Sequence, residues 1–254
     1  MNDYDVDDPA MTELPAEEAA VEERGRSLRR AAYITIGVGV TFSVLYVLSY
    51  YMLQRTPGPT ATDEEIINFY STGGQRRLIL IGLYVMPFAG IAFLWFINAL
   101  RLWITASSKR INPMLANVQF VSGVIFTALL FTAAAASAAT AASMEYIHES
   151  LDPMFARQLP LLSNTILIVF AMRMAAMYVF TTSNIGRATG ILPRWFVYMG
   201  FAIGLFLLLS ATFSRLLALV FPVWVLVLCA VMLFKSRSLP RDATIPFQTD
   251  KRVA

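Results

Sequence analysis

The sequence predicts an all-α protein: a polytopic bundle of six transmembrane helices with its N and C termini on the cytoplasmic side. Three observations predict it. Of 254 residues, 57% are apolar and only 15% charged, and the mean hydropathy is +0.60, which leaves too little charge to cover a water-facing globule. Six runs reach the roughly 20 residues that a helix needs to cross a hydrocarbon core about 30 Å thick, and none alternates apolar with polar as a membrane barrel strand would. With the N terminus inside, Lys and Arg in the short flanks fall twelve on that side and five on the other, the asymmetry that orients membrane helices.

Residues 1–30 hold nine of the seventeen acids and almost no aromatics. They read as an acidic, disordered cytoplasmic tail, because such a composition cannot bury enough surface to offset its ordering entropy. All nine acids lie within the first 23 residues, and from Arg24 onward the twenty basic residues face only eight acids, a net of +12. Ala31–Leu53 is the first span, too long for a signal-peptide core and without an A-x-A site after it. In the following loop Thr62 and Glu65 make a capping-box pattern and Ile66, Ile67, Phe69 and Tyr70 an apolar side, which predicts a short external interfacial helix near 63–72, closed by Gly73 and Gly74. A lid over an outward cavity is the functional alternative for this segment.

The second span, Leu78–Trp103, contains Pro87, which frees the carbonyl of Leu83 and predicts a kink. Asn98 is read as a helix-packing residue that bonds across to a neighbour. Arg101 and Trp103 are read as anchors at the cytoplasmic interface. The third span, Val118–Ser143, ends in the unbroken series of small residues Thr132–Ser143, which allows close backbone approach and marks the expected centre of the bundle. The fourth span is Leu161–Thr182. Trp195–Phe213 and Leu216–Phe234, separated by Ser214 and Arg215, form a helical hairpin, with Trp195 and Arg215 as further anchors and Pro222 as a second kink that frees Ala218. Residues 236–254 form a basic cytoplasmic tail.

Arg173 is the most informative polar position. It lies about ten residues, or roughly 15 Å, from the cytoplasmic end of the fourth run, too deep for easy snorkelling. At 100° per residue, Met177 and Asn184 share its face. No Asp or Glu occurs inside the six runs, which removes the midplane acid of proton relays and cation-coupled carriers. A functional Arg173 therefore takes an anion, and Arg173, Met177 and Asn184 form the candidate ligand-binding set. The structural reading is an arginine bonded to carbonyls within the bundle.

No metal site and no cofactor is expected. The chain has one Cys, Cys229, and one His, His148, and lacks the nucleotide-binding, zincin and nucleophile-elbow motifs. The loop group Glu145, His148, Glu149 and Asp152 reads as a solvated turn, with no nucleophile beside it. No catalytic residue is assigned. The expected partners are the lipid bilayer and either an anionic lipid or another membrane subunit, and no nucleic acid.

Thr189-Gly190-Ile191-Leu192-Pro193-Arg194-Trp195, with the helix through Gly200 and Gly204, resembles a segment of a family of bacterial six-span integral membrane proteins of unassigned activity. Phe170-Ala171-Met172-Arg173-Met174-Ala175 and Phe221-Pro222-Val223-Trp224 resemble it as well. The resemblance covers roughly Ala31 to Phe234 and implies a helical bundle in the bacterial inner membrane, without an activity or catalytic residues. Two functional readings follow: a scaffold or accessory subunit of a membrane complex, and a carrier or binding protein for an anionic or amphiphilic small molecule or lipid at Arg173.

Overall fold

The computed structural model describes residues 9–58, 60–107, 112–147, 151–210, 214 and 216–238, with side chains from residue 30 onward except at 106, 107, 237 and 238. The helices are α1 (Pro9–Leu53), α2 (Asp63–Ser71), α3 (Gly73–Ser107), α4 (Pro113–Ala142), α5 (Pro153–Thr165), α6 (Met172–Thr189), α7 (Arg194–Leu209) and α8 (Leu217–Ser238), and there is no strand among the described residues. π-Helical turns occupy Ser143–Ile147 after α4 and Ile166–Ala171 between α5 and α6. The protein is a multi-pass membrane protein, and among the described residues five helical segments are long and apolar enough to cross a bilayer: Arg30–Leu53, Gly73–Thr105, Pro113–Ile147, Pro153–Thr189 and Leu217–Ser236. The fifth apolar run forms α7, whose 16 residues rise only about 24 Å against a core of about 30 Å. The expected Trp195–Phe213 helix thus stops at Leu209.

α1 starts at Pro9, so the segment expected to be an unstructured tail is helical over most of its length. Its Ala, Glu and Arg have high intrinsic helix propensity, which needs no buried face. α2 carries the expected capping box: Glu65 N–H donates to Thr62 Oγ1 at 3.3 Å and Thr62 N–H to Glu65 Oε2 at 2.8 Å. Thr72 caps its C terminus and Gly73 already begins α3.

The centre of the bundle is aromatic. Phe93 on α3 meets Phe42 of α1, Phe126 of α4, Tyr178 of α6 and Phe221 of α8, with centroid separations of 4.6, 5.3, 5.4 and 5.4 Å. One ring from each of five helices therefore converges, mostly edge to face, as the aromatic quadrupole favours. The small residues of α4 do not hold this centre. Ala133, Ala134, Ser137, Ala138 and Ala141 are buried nearer the end that carries α2. There Ser163 Oγ of α5 donates to Ala133 O at 2.7 Å, and Ser137 Oγ donates to Leu53 O of α1 at 3.1 Å.

α1 packs between α3 and α8, each of which contains a proline, and bonds to both through hydroxyls three residues apart. Ser43 Oγ donates to Pro222 O at 3.2 Å and Tyr46 Oη to Ala218 O at 3.0 Å, while Ser49 Oγ donates to Gly82 O at 2.6 Å. Ala218 O is the carbonyl that Pro222 deprives of its helical donor. The break in α8 is closed by α1 rather than left free.

Two arginines fasten α2 to the bundle. Arg157 of α5 donates to Asp63 Oδ1 at 2.5 Å and to Ala61 O at 2.8 Å. Arg76 of α3 donates to Glu145 Oε2 at 2.6 Å and to Tyr70 O at 3.1 Å. Ile66 and Tyr70 are buried beneath α2, whereas Ile67 is 44% exposed.

Candidate functional site

Arg173 stands at the first turn of α6, just after the π-helical turn. Its Nη1 donates to Ile168 O, five residues earlier in that turn, at 2.7 Å, and its Nη2 to Ser210 O at 3.1 Å. Ser210 is the C-cap of α7, where carbonyls have lost their intrahelical donors and the helix dipole is negative. A guanidinium supplies both bonds from one planar fork. α6 continues to Thr189, so Arg173 lies about 24 Å from that end rather than the 15 Å expected from a helix ending at Thr182. α7 is short, and its open end falls at the same depth as Arg173.

The residues expected to accompany Arg173 are not gathered around it. Met177 is exposed on the outer surface of the bundle. Asn184 is about 16 Å farther along α6, and its Oδ1 accepts from Arg187 Nη2 at 3.3 Å. Asn98 is exposed and donates to its own helix at Leu94 O, 2.8 Å away, rather than across to a neighbour. A local carbonyl is within reach of its short side chain.

Arg101 is exposed, and Trp195 is 57% exposed. Trp103 is instead buried at 7%, packed among Leu100, Ile104, Thr182, Gly186 and Leu192 around a void of about 10 Å³, room for a single water. Indole is large and apolar enough to pack in the interior when a neighbouring helix covers it. Arg215, His148 and Glu149 lie outside the described residues. Of the remaining loop acids, Glu145 is held by Arg76 and Asp152 caps α5, its Oδ1 accepting from Met154 N–H at 2.8 Å. Cys229 is buried and unbridged.

Polar pairs that the sequence did not single out join the helices. Gln119 Nε2 of α4 donates to Thr182 Oγ1 of α6 at 2.6 Å in a buried position, and Gln54 Nε2 donates to Asn164 Oδ1 at 2.8 Å near the end that carries α2. Three polar atoms, Tyr178 Oη, Ser183 Oγ and Trp224 Nε1, are buried with no hydrogen bond to a described residue. The one available signal was a polar side chain at helical spacing inside an apolar run, and it names no partner.

α6 and α7 approach closely at Gly200 and Gly204. A Cβ at Gly200 would meet Ser183 Oγ at 2.0 Å, and one at Gly204 would meet the Phe180 ring at 2.9 Å. This is the small-xxx-small spacing that lets membrane helices touch along their backbones. At the turn between the two helices Gly190 adopts φ +67, and Lys235 Nζ of α8 donates to Ile191 O at 2.7 Å.

At the end that carries α2, burial pushes the Tyr70 phenol up from 10.0 to about 12, while the neighbouring Thr140 hydroxyl acts in the opposite direction. Neither hydroxyl makes a well-aligned hydrogen bond with a described residue. On the periphery, an open groove of about 420 Å³ runs between the end of α1 and the start of α8. Among the described residues no three His, Cys, Asp or Glu side chains gather as metal ligands. No family model, curated protein or solved structure matches the chain.

Proposed function

We propose that this protein is a scaffold or accessory subunit of a complex in the bacterial inner membrane, crossing it six times with both termini in the cytoplasm. The observation that carries the reading is the use of Arg173. Its guanidinium bonds to the carbonyls of Ile168 and Ser210, so the cation expected for an anionic substrate is spent on joining α6 to the open end of α7. The interior is filled by interlocking rings and hydrogen-bonded side chains, the construction of a part that holds a shape.

The distribution of Lys and Arg supports the orientation. For the pass at α7, its 16 residues together with the connection to α8 provide enough chain to complete a crossing.

The test is crosslinking in native membranes followed by isolation in mild detergent, with accessibility tags on both ends. The reading expects a stoichiometric protein partner and both tags on the cytoplasmic face. Isolation of a lone chain with no crosslinked partner overturns the subunit assignment, and tags on opposite faces overturn the six-pass topology.

A further inference from the structure

The peripheral groove grades from apolar to cationic along its length. Val47, Leu216 and Leu219 line its apolar part, and Gln54, Arg55 and Thr56 its polar part. Val47 and Arg55 are eight residues apart along α1 and its end, about 12 Å of rise, so the cation sits at the membrane boundary and the apolar walls reach into the acyl region. The volume of about 420 Å³ falls within the roughly 300–1,000 Å³ of small-molecule sites.

Arg55 is held in place without being neutralised. Its guanidinium carbon lies 4.8 Å from the centroid of the Tyr51 ring, and its Nη2 donates to Tyr51 Oη at 3.0 Å. Of five guanidinium N–H donors, only that one is used among the described residues. The other two arginines on this end that are fixed by side-chain contacts, Arg76 and Arg157, each face a carboxylate. A positioned cation needs little reordering when an anion arrives, which favours binding. Phosphate oxygens match the geometry of a guanidinium fork.

We infer that this groove binds one anionic phospholipid from the surrounding leaflet, its phosphate on Arg55 and an acyl chain along Val47, Leu216 and Leu219. The match is one of charge and of polarity gradient: the lipid is the amphiphile whose head and tail meet the groove in this order, at this depth. The site is independent of Arg173 and of whether the protein has a partner subunit.

The experiment is native mass spectrometry of the full-length protein in detergent, titrated separately with phosphatidylglycerol and phosphatidylcholine. The wild type is expected to retain one phosphatidylglycerol at least fivefold more tightly than phosphatidylcholine. Arg55→Gln removes that preference. Leu219→Trp, which fills the groove and leaves the charge in place, weakens binding of the first lipid. Arg77→Gln, at an exposed position on the same end outside the groove, leaves it unchanged. Equal retention of the two lipids by the wild type overturns the inference, as does equal loss of preference in the Arg55 and Arg77 variants. Displacement of the bound lipid by millimolar inorganic phosphate overturns it as well, because it assigns the cation to free anions rather than to lipid.

Discussion

Tyr46→Phe removes one oxygen from the bundle and leaves the ring beside Phe42 and stacked on Tyr50. The lost hydroxyl is the donor to Ala218 O, a carbonyl whose helical partner is missing because residue 222 is proline. Tyr46 and Ala218 are both fully buried, so no water replaces the bond. Leaving a buried carbonyl unpaired costs about 1–3 kcal/mol, and interhelical hydrogen bonds in membranes measure about 0.6–1.7, which together place the effect near 1.5 kcal/mol.

Pro222→Ala restores an amide N–H that can reach Ala218 O within the helix. In that background the Tyr46 hydroxyl is partly redundant, and Tyr46→Phe then costs about 0.5 kcal/mol, a coupling of about 1 kcal/mol. The assay is reversible unfolding of the purified chain in mixed micelles of mild and denaturing detergent, followed by helicity, for the wild type, both single variants and the double variant. An equal cost in both backgrounds would refute the reasoning, since it would mean that the hydroxyl does not serve the proline break.

Three further outcomes are expected. Thr182→Val leaves the buried Gln119 Nε2 without its 2.6 Å bond and lowers stability by about 1–3 kcal/mol, Gln119→Leu costs less because Thr182 Oγ1 keeps its bond to Tyr178 O, and the double variant loses less than the sum; additive costs in the same unfolding assay would show that the pair does not interact. Gly200→Val drives a side chain into Ser183 Oγ and costs about 2–3 kcal/mol, part of which Ser183→Ala recovers. The Tyr70 phenol, raised to about 12, favours the folded state as the neutral form. Its stability contribution is therefore complete below pH 10 and falls by up to about 2–3 kcal/mol between pH 10 and 12. Tyr70→Phe flattens this alkaline loss, read as the difference in thermal unfolding midpoint between the two proteins across that range.

Much of the architecture was legible in one dimension. Runs of about 20 apolar residues can satisfy their backbone in lipid only as helices, and the runs correspond to Arg30–Leu53, Gly73–Thr105, Pro113–Ile147, Pro153–Thr189 and Leu217–Ser236. α2 was legible because capping is local: Thr62 and Glu65 are three residues apart and complete each other. The prolines inside α3 and α8, Pro87 and Pro222, were legible for the same reason, whereas Pro160 inside α5 was not read. α7 was read as too long because hydropathy continues past Leu209 after the hydrogen-bonded helix has stopped.

What the sequence by itself determined is the solvent of this protein, the type and approximate extent of its helices, and the positions where their hydrogen bonding is interrupted. Only the tertiary structure decided which face of each helix meets protein and which meets lipid. Trp103 is buried and Trp195 exposed, though both sit at the edge of an apolar run. It also supplied the partners of the polar groups: Arg173 finds Ser210 37 residues away, and Ala218 is served by Tyr46 from 172 residues away. The reason is physical. In water, hydrophobicity separates interior from surface, but lipid tails are as apolar as a protein core. Periodicity then shows which residues share a side of a helix and carries no information about what that side touches.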